Sequence, residues 1–562
     1  MQTAKNACRY RSNAQITGEM MDLSRKILDS IADRPEYSVM KYPWRDISGG
    51  EFLSMTASCA SALKQKEIRP GEWVAICSLT TAEAIAAALA CHHIGATVLM
   101  INPLLSEERI RTVLCDNAVR VIFVHEELHG KIRQALERSS IETEVILSYT
   151  DSMPASLKLM KGFGILPKTE TEPAAGTEAV TWSGFLKAAD CSDARRALAD
   201  TEEKTDPEAP ALVVWSSGST GEPKGIILSE RALLAELRIT ECIFATTVSE
   251  DPIGILQNMW SATTYIMLIL AMLAMPRRII IPAGQSLAYM IAKQQASIVF
   301  STADGLLKCT ASGSLDGTDL SGLKLIVCGG ERTLPAAEKA VNDYFREHGC
   351  RCGLSDSWGL SEFSSILTDN IVVNRKGSVG KPFGEVRIEA FDPDHPSEPL
   401  ERGHTGELFV ISPAVMSGYY EDEEATEAFF FTDKDGKVWG RSGDAGYVDD
   451  DGFVYVYGRR DSVFFPDGAG AVYPSEIENV LAEDARVLGC AVVLDKESGA
   501  VTAHIHAAVS DENEQDALSG SLRELALKRL PEKSRPAGYV YWPEGLPINE
   551  CGKTDRRKLE NC

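Results

Sequence analysis

No two of the 14 cysteines in this 562-residue chain stand in a Cys-x-x-Cys pair. The closest pair, Cys350-Arg-Cys352, has no histidine cluster beside it. A metal site built on Cys ligands needs such spacing, so that class is excluded. Several cysteines, Cys77 and Cys328 among them, sit inside apolar runs and read as small core residues with reduced thiols. There is no run of Lys and Arg, and the formal net charge is −24. A nucleic-acid partner would need a basic patch against that field, so none is expected. Long hydrophobic runs are also missing. The longest, Tyr265 to Met275, is about half of what spans a bilayer, so no integral membrane segment is expected. Met1 to Gln15 is polar, without the apolar centre of a secretory signal, which makes the cytoplasm the expected compartment. No repeat at solenoid spacing is present.

The chain does have the composition of a globular protein, 44% hydrophobic and 25% charged. Its length exceeds what one core supports, so two or more domains are expected. Short apolar runs alternate with helical patterns. Trp73 to Ser78 reads as a strand. Thr80 or Thr81 then caps an Ala-rich helix to about Ile94, Gly95 ends it, and Thr97 to Ile101 is the next strand. A helix from Ser106 and a strand at Arg120 to Val124 follow. After an excursion over residues 150 to 206 with one short helix, strands resume near Ala211 to Trp215, Arg278 to Ile281, Ser297 to Ser301 and Leu323 to Val327. This rhythm predicts an α/β fold with parallel sheets wrapped by helices. Beyond Gly384 the pattern becomes β-rich, with runs at Arg387 to Phe391, Gly406 to Ile411 and Phe453 to Tyr457. The last hundred or so residues mix strands with helices at Glu476 to Leu481 and Leu522 to Leu530, a small α+β domain.

Val213 to Ile226 reads Val-Val-Trp-Ser-Ser-Gly-Ser-Thr-Gly-Glu-Pro-Lys-Gly-Ile. A buried strand end runs into hydroxyls, glycines and a lysine. Such a loop can turn backbone N–H groups inward, donate from hydroxyls and supply a positive charge, which suits phosphate. It is not a Walker loop. Counting from Gly218, the second glycine would fall on Pro223, and Gly552-Lys553-Thr554 has its nearest upstream glycine at 545.

The loop resembles the signature of the adenylate-forming superfamily, which comprises acyl-CoA synthetases, carrier-protein-loading adenylation domains and luciferases. Further motifs follow in that family's order. Leu325 to Glu331 is a strand entering a Gly pair, and Asp356-Ser-Trp-Gly-Leu-Ser-Glu362 is similar to the family's Tyr-Gly-x-Thr-Glu. Gly440-Arg-Ser-Gly-Asp-Ala-Gly446 and Tyr457-Gly-Arg-Arg-Asp461 come next, and Leu546 to Arg556 matches the closing Pro-x4-Gly-Lys-x2-Arg. Gly377 to Pro382, Gly406 to Leu408 and Val415 to Tyr419 match as structural punctuation.

The resemblance implies a large AMP-binding domain over residues 1–460 and a small mobile domain over 461–562 that carries the catalytic Lys553, with Asp461 as the hinge. It implies that Ser216, Ser217, Gly218, Ser219, Thr220, Gly221 and Lys224 hold the phosphates of ATP. Gly330 and Glu331 would flank the flat base, and Trp358, in place of the family's Tyr, would stack on it. Asp356 would accept from the adenine amino group. Ser361 would reach a phosphate oxygen, and Glu362 would hold Mg2+. Asp444, in a Gly-flanked turn, would take the ribose hydroxyls, and Arg459 would contact ribose or phosphate.

Two departures stand out. Relatives place a Lys four residues after the hinge Asp, where this chain has Phe465, and the loop before Val472-Tyr-Pro474 is one residue longer. Where amino-acid-activating relatives carry an Asp for the ammonium, alignment puts Met259, beside Trp260, and the His of many acyl and aryl activators is absent too. A Met cannot pair an ammonium ion. The expected substrate is therefore an apolar acyl or aryl carboxylic acid without an α-amino group, joined through its adenylate to the thiol of coenzyme A. The alternatives are the phosphopantetheine arm of a carrier protein and a degenerate relative that binds nucleotide without catalysis.

Overall fold

The Thr81 hydroxyl accepts from the Ala84 N–H and starts the helix Ala82–His93, and Ser106 does the same for Glu107–Asp116. Such caps satisfy amides that a helix cannot pair internally. A computed structural model describes residues 22–154, 172–187, 198, 206–216, 223–244, 252–255, 258–275, 277–330, 333–371, 375–393, 395–460, 472, 474–494, 500–507, 509, 511–548 and 554–560. Four sheets form among them.

The eight-stranded sheet runs in the order Gly418–Tyr419, Gly225–Ser229, Pro210–Trp215, Thr97–Met100, Trp73–Cys77, Val121–His125, Thr143–Leu147, Glu178–Thr181. Its strands pair in parallel except at the first two steps. The nine-stranded sheet places Leu354–Trp358 beside Leu325–Cys328 and Ile298–Ser301, again in parallel. Their central strands, Thr97–Met100, Ile298–Ser301 and Leu325–Cys328 among them, are fully buried and largely apolar, as expected where helices cover both faces. A five-stranded antiparallel sheet holds Arg387–Phe391, Gly406–Ile411, Phe430–Thr432, Val438–Val448 and Val454–Arg459. Toward the C-terminus Val487–Leu494, Val501–Ala507 and Gly538–Tyr541 form a small sheet with the helices Pro474–Leu481 and Glu512–Arg529.

The alternating α/β reading therefore holds. Three local expectations need correction. The excursion over 150–206 contains an edge strand, Glu178–Thr181, ahead of its short helix Trp182–Lys187. The helix expected at Leu522 to Leu530 begins ten residues earlier, at Glu512, capped by Asp511. Asp444 lies not in a turn but inside the strand Val438–Val448. Gly443, with φ of 70°, and a register shift between Ala445 and Gly446 bulge that strand at this point. The longest apolar run is no membrane span: it forms a π-helical stretch, Thr263–Leu270, and a short helix, Ala271–Ala274, both buried. Among the described residues no helix is long and apolar enough to cross a membrane.

Candidate active site

The phosphate-loop candidate is closed at its neck. Trp215 pairs with Gly225 across antiparallel strands, the Ser216 N–H donates to the Lys224 carbonyl, and the Lys224 N–H donates to the Ser216 hydroxyl, both at 2.9 Å. The strands on either side of it thus pair with each other as a hairpin, unlike the strand and helix that flank a Walker motif. Ser217, Gly218, Ser219, Thr220 and Gly221 lie outside the described residues, as do Glu331, Asp461, Phe465 and Lys553. Gly330 ends the described part of the segment after Leu325–Cys328.

Lys224 is exposed, with its ammonium 3.5 Å from Asp422 and 4.9 Å above the ring of Tyr419. Tyr419 pairs with Ile226 at the sheet edge, and its hydroxyl donates to Glu362 at 3.0 Å. Burial, and then the Glu362 charge, push the Tyr419 phenol far above its ordinary range, so it remains a donor at any working pH. In the sequence Tyr419 reads only as structural punctuation. Its signal was an aromatic hydroxyl just beyond a glycine, too common to single out.

Ser361 and Glu362 sit on a single turn of 3-10 helix after the strand Leu354–Trp358. Gly359 is required there, because a Cβ at that position would overlap the Ser365 carbonyl oxygen. Trp358 is 9% exposed, and its indole N–H donates to Asp444 at 2.9 Å. The Arg459 guanidinium lies 3.8 Å from the other Asp444 oxygen and donates to the Ser442 carbonyl at 2.9 Å. Asp356 is half-buried on the same strand as Trp358, in register with Cys328. Glu407, buried at 3% exposure, anchors this corner by taking Arg441 at 2.6 Å and Arg460 at 3.1 Å.

A cavity of about 300 Å³ is lined by Lys224, Glu362, Tyr419, Ser442, Gly443 and Arg459, with Glu407 and Arg441 at its wall. The structure thus brings together Lys224, Glu362 and Arg459, three candidates from distant parts of the chain. Two cations and a carboxylate around one cleft suit a polyphosphate with its metal. Met259 is fully buried and Trp260 packs half-buried against the same core, ahead of the π-helical stretch. The described residues that flank Lys553 in sequence pair with each other, through the Ile548–Thr554 bridge and the bond from the Asp555 N–H to the Pro547 carbonyl. Arg556 is tied to Glu478 at 2.8 Å.

Comparison with known proteins places these residues in context. The family described as AMP-binding enzyme matches residues 28–420. The indoleacetate–CoA ligase of Aromatoleum aromaticum is 26% identical over 551 residues, 95% of this chain and 96% of that one. A long-chain-fatty-acid–CoA ligase of Bacillus subtilis is 24% identical over 95% of this chain and 93% of its own. Among solved structures, a benzoate CoA ligase from Burkholderia xenovorans superposes with a TM-score of 0.77 at 20% identity, covering 96% of this chain and 100% of that chain, which is a likeness of fold.

Proposed function

The chain belongs to the AMP-binding enzyme family and is an AMP-forming acid–thiol ligase, and from that premise we propose that it joins an apolar acyl or aryl carboxylic acid to coenzyme A. The observation that carries this reading is the convergence of Lys224, Glu362 and Arg459 on one cavity. Curated relatives named for indoleacetate and for long-chain fatty acids support an apolar acid. Buried Met259 at the position where amino-acid activators carry an Asp supports the absence of an α-amino group.

A carboxylate must be activated because its leaving group would be oxide. Its oxygen attacks the α-phosphorus of ATP, the bond to the β-phosphate oxygen breaks, and pyrophosphate leaves. A thiolate then attacks the acyl carbon, a C–S bond forms, and AMP departs. Charge builds on phosphate oxygens throughout, so catalysis is electrostatic and positional. The Ser216–Lys224 hairpin tip and Arg459 hold phosphate oxygens. Asp444 takes the ribose, Trp358 stacks the adenine, and Asp356 accepts from its amino group. Ser361 steadies a phosphate oxygen. Glu362 would hold magnesium, a metal commonly bound by one or two carboxylates together with substrate phosphates, which would neutralise the developing charge. Lys553 bridges the carboxylate and the α-phosphate. Residues 461–562 then turn about Asp461 relative to residues 1–460 and open the way for the thiol.

The test is a panel of acids scored by pyrophosphate release, with coenzyme A or a phosphopantetheinylated carrier protein added. A mass gain on coenzyme A supports the reading. A gain on the carrier alone overturns the choice of acceptor, and no release with any acid retires the ligase itself.

A further inference from the structure

Glu236 and Thr240 lie one turn apart on the helix Glu230–Ile243, both fully buried. One Glu236 carboxyl oxygen accepts from the Ile366 N–H at 3.0 Å. The other, Oε2, and the Thr240 hydroxyl have no hydrogen-bond partner among the described residues. Burial pushes the Glu236 carboxyl well above the ordinary carboxylate range, which favours its protonated form, and Oε2 meets no partner among the described residues. Native interiors rarely leave such groups unsatisfied, because each costs stability, and an exception calls for an explanation.

The location supplies one. The helix packs on the π-helical stretch Thr263–Leu270, where the Ala271 N–H reaches back to the Ile266 carbonyl. That form is rare and recurs at functional sites. The stretch begins just after Met259 and Trp260. The Ser365 hydroxyl contacts the Met267 sulfur of that stretch at 3.9 Å, and Ile366 lies four residues beyond Glu362. Glu236 is thus joined through the Ile366 amide to the segment carrying Glu362, and its helix packs on the stretch that follows Met259 and Trp260.

We propose that Glu236 and Thr240 receive a hydroxyl at the far end of the carboxylic acid, making the substrate a hydroxylated aryl or acyl acid. This rests on the ligase reading above. A hydroxyl is the group that matches both partners: its oxygen accepts from the Glu236 O–H, and its proton goes to the Thr240 oxygen. A methyl group or hydrogen in its place would leave both unsatisfied. Sites built to bond a hydroxyl reject analogues without it far more strongly than hydrophobic pockets sort hydrocarbons by size.

The experiment compares para-hydroxyphenylacetate, phenylacetate and para-methylphenylacetate, together with a medium-chain fatty acid and its terminal hydroxy form. Wild type is expected to favour the hydroxylated member of either series by about ten- to a hundredfold in kcat/KM. Glu236→Leu and Thr240→Val should each cut that preference by about tenfold or more, raising the use of the methyl analogue and leaving the KM for ATP unchanged. Thr240→Val keeps the side-chain shape, so it reads the effect even if Glu236→Leu, which strips the Ile366 amide of its acceptor, does not fold. Equal use of both members by wild type, or a preference untouched in Thr240→Val, overturns the assignment. If no acid releases pyrophosphate, the ligase reading fails separately, and acid-induced shifts in Tm over the same panel decide: no larger shift with the hydroxylated members overturns the site.

Discussion

The indole N–H of Trp358 donates to the carboxylate of Asp444 at 2.9 Å, across 86 residues of sequence. The side chain expected beneath adenine and the one expected beneath ribose are thus a single hydrogen-bonded unit, the first on the nine-stranded sheet and the second on the antiparallel sheet. Hydrogen bonds to charged groups are worth about 1.5–3 kcal/mol. Trp358→Phe keeps a smaller ring for stacking and deletes the donor. It should raise the KM for ATP by about tenfold with the KM for coenzyme A unmoved, and Asp444→Ala should do more. Steady-state pyrophosphate kinetics would show this, and an unchanged ATP dependence in Trp358→Phe would contradict it.

Tyr419 orients Glu362 through a 3.0 Å bond. Removing an outer partner of a metal-binding group typically costs about ten- to a hundredfold in metal affinity. Tyr419→Phe should therefore shift the magnesium concentration at half-maximal rate upward by about tenfold. A magnesium titration that superimposes on wild type would detach Tyr419 from this role.

Lys553→Ala should nearly abolish acyl-adenylate formation while sparing thioester formation from supplied adenylate. Measuring the two half-reactions separately checks it, and undiminished pyrophosphate release by the variant would defeat the assignment.

Gly359→Ala should destabilise the protein by more than about 3 kcal/mol, since the added methyl overlaps a backbone carbonyl that no rotamer change can move. Gly322→Ala, where nothing lies within 4 Å, is the control. A Tm for the first variant equal to that of the control would show that the turn relaxes freely.

Glu83 is buried beneath the Tyr42 hydroxyl, 3.2 Å away, and the Ser152 hydroxyl. Burial pushes its carboxyl up to about 7. Below about pH 4.5 it is protonated whether the chain is folded or not. As pH rises toward 7 only the unfolded chain ionises, so folding stability is progressively lost, by about 3 kcal/mol at most. Glu83→Gln should remove that slope in urea titrations taken at several pH values. An identical slope in the variant would place the titration elsewhere.

Much of the fold was legible because local signals agreed with it. Thr81 and Ser106 stood ahead of periodic runs, and the strands of the parallel sheets were short, continuous and apolar. Glu178–Thr181 was not, since this edge strand buries no residue fully and so lacks an apolar pattern. Nor was the strand setting of Asp444, because Gly443 and Gly446 imitate a turn where they in fact bulge a ladder. At the site, motif residues could be named from sequence, but which of them touch could not. The Trp358–Asp444 bond and the Tyr419–Glu362 bond join distant segments, and no periodicity carries that information. Glu236 left a trace that went unread: an acidic residue on the apolar stripe that also carries Leu233, Thr240 and Ile243.

Tyr419 is hydrogen-bonded into the sheet one residue beyond the hairpin neck at Gly225, and the same residue steadies Glu362. In the proposed reading, the phosphate-holding hairpin and the magnesium-holding carboxylate therefore share Tyr419. Any coupling of the two ligands through it is reciprocal: the factor by which nucleotide changes magnesium affinity equals the factor by which magnesium changes nucleotide affinity. Loss of the Tyr419 hydroxyl should then change both dependences, magnesium on nucleotide and nucleotide on magnesium, by one and the same factor.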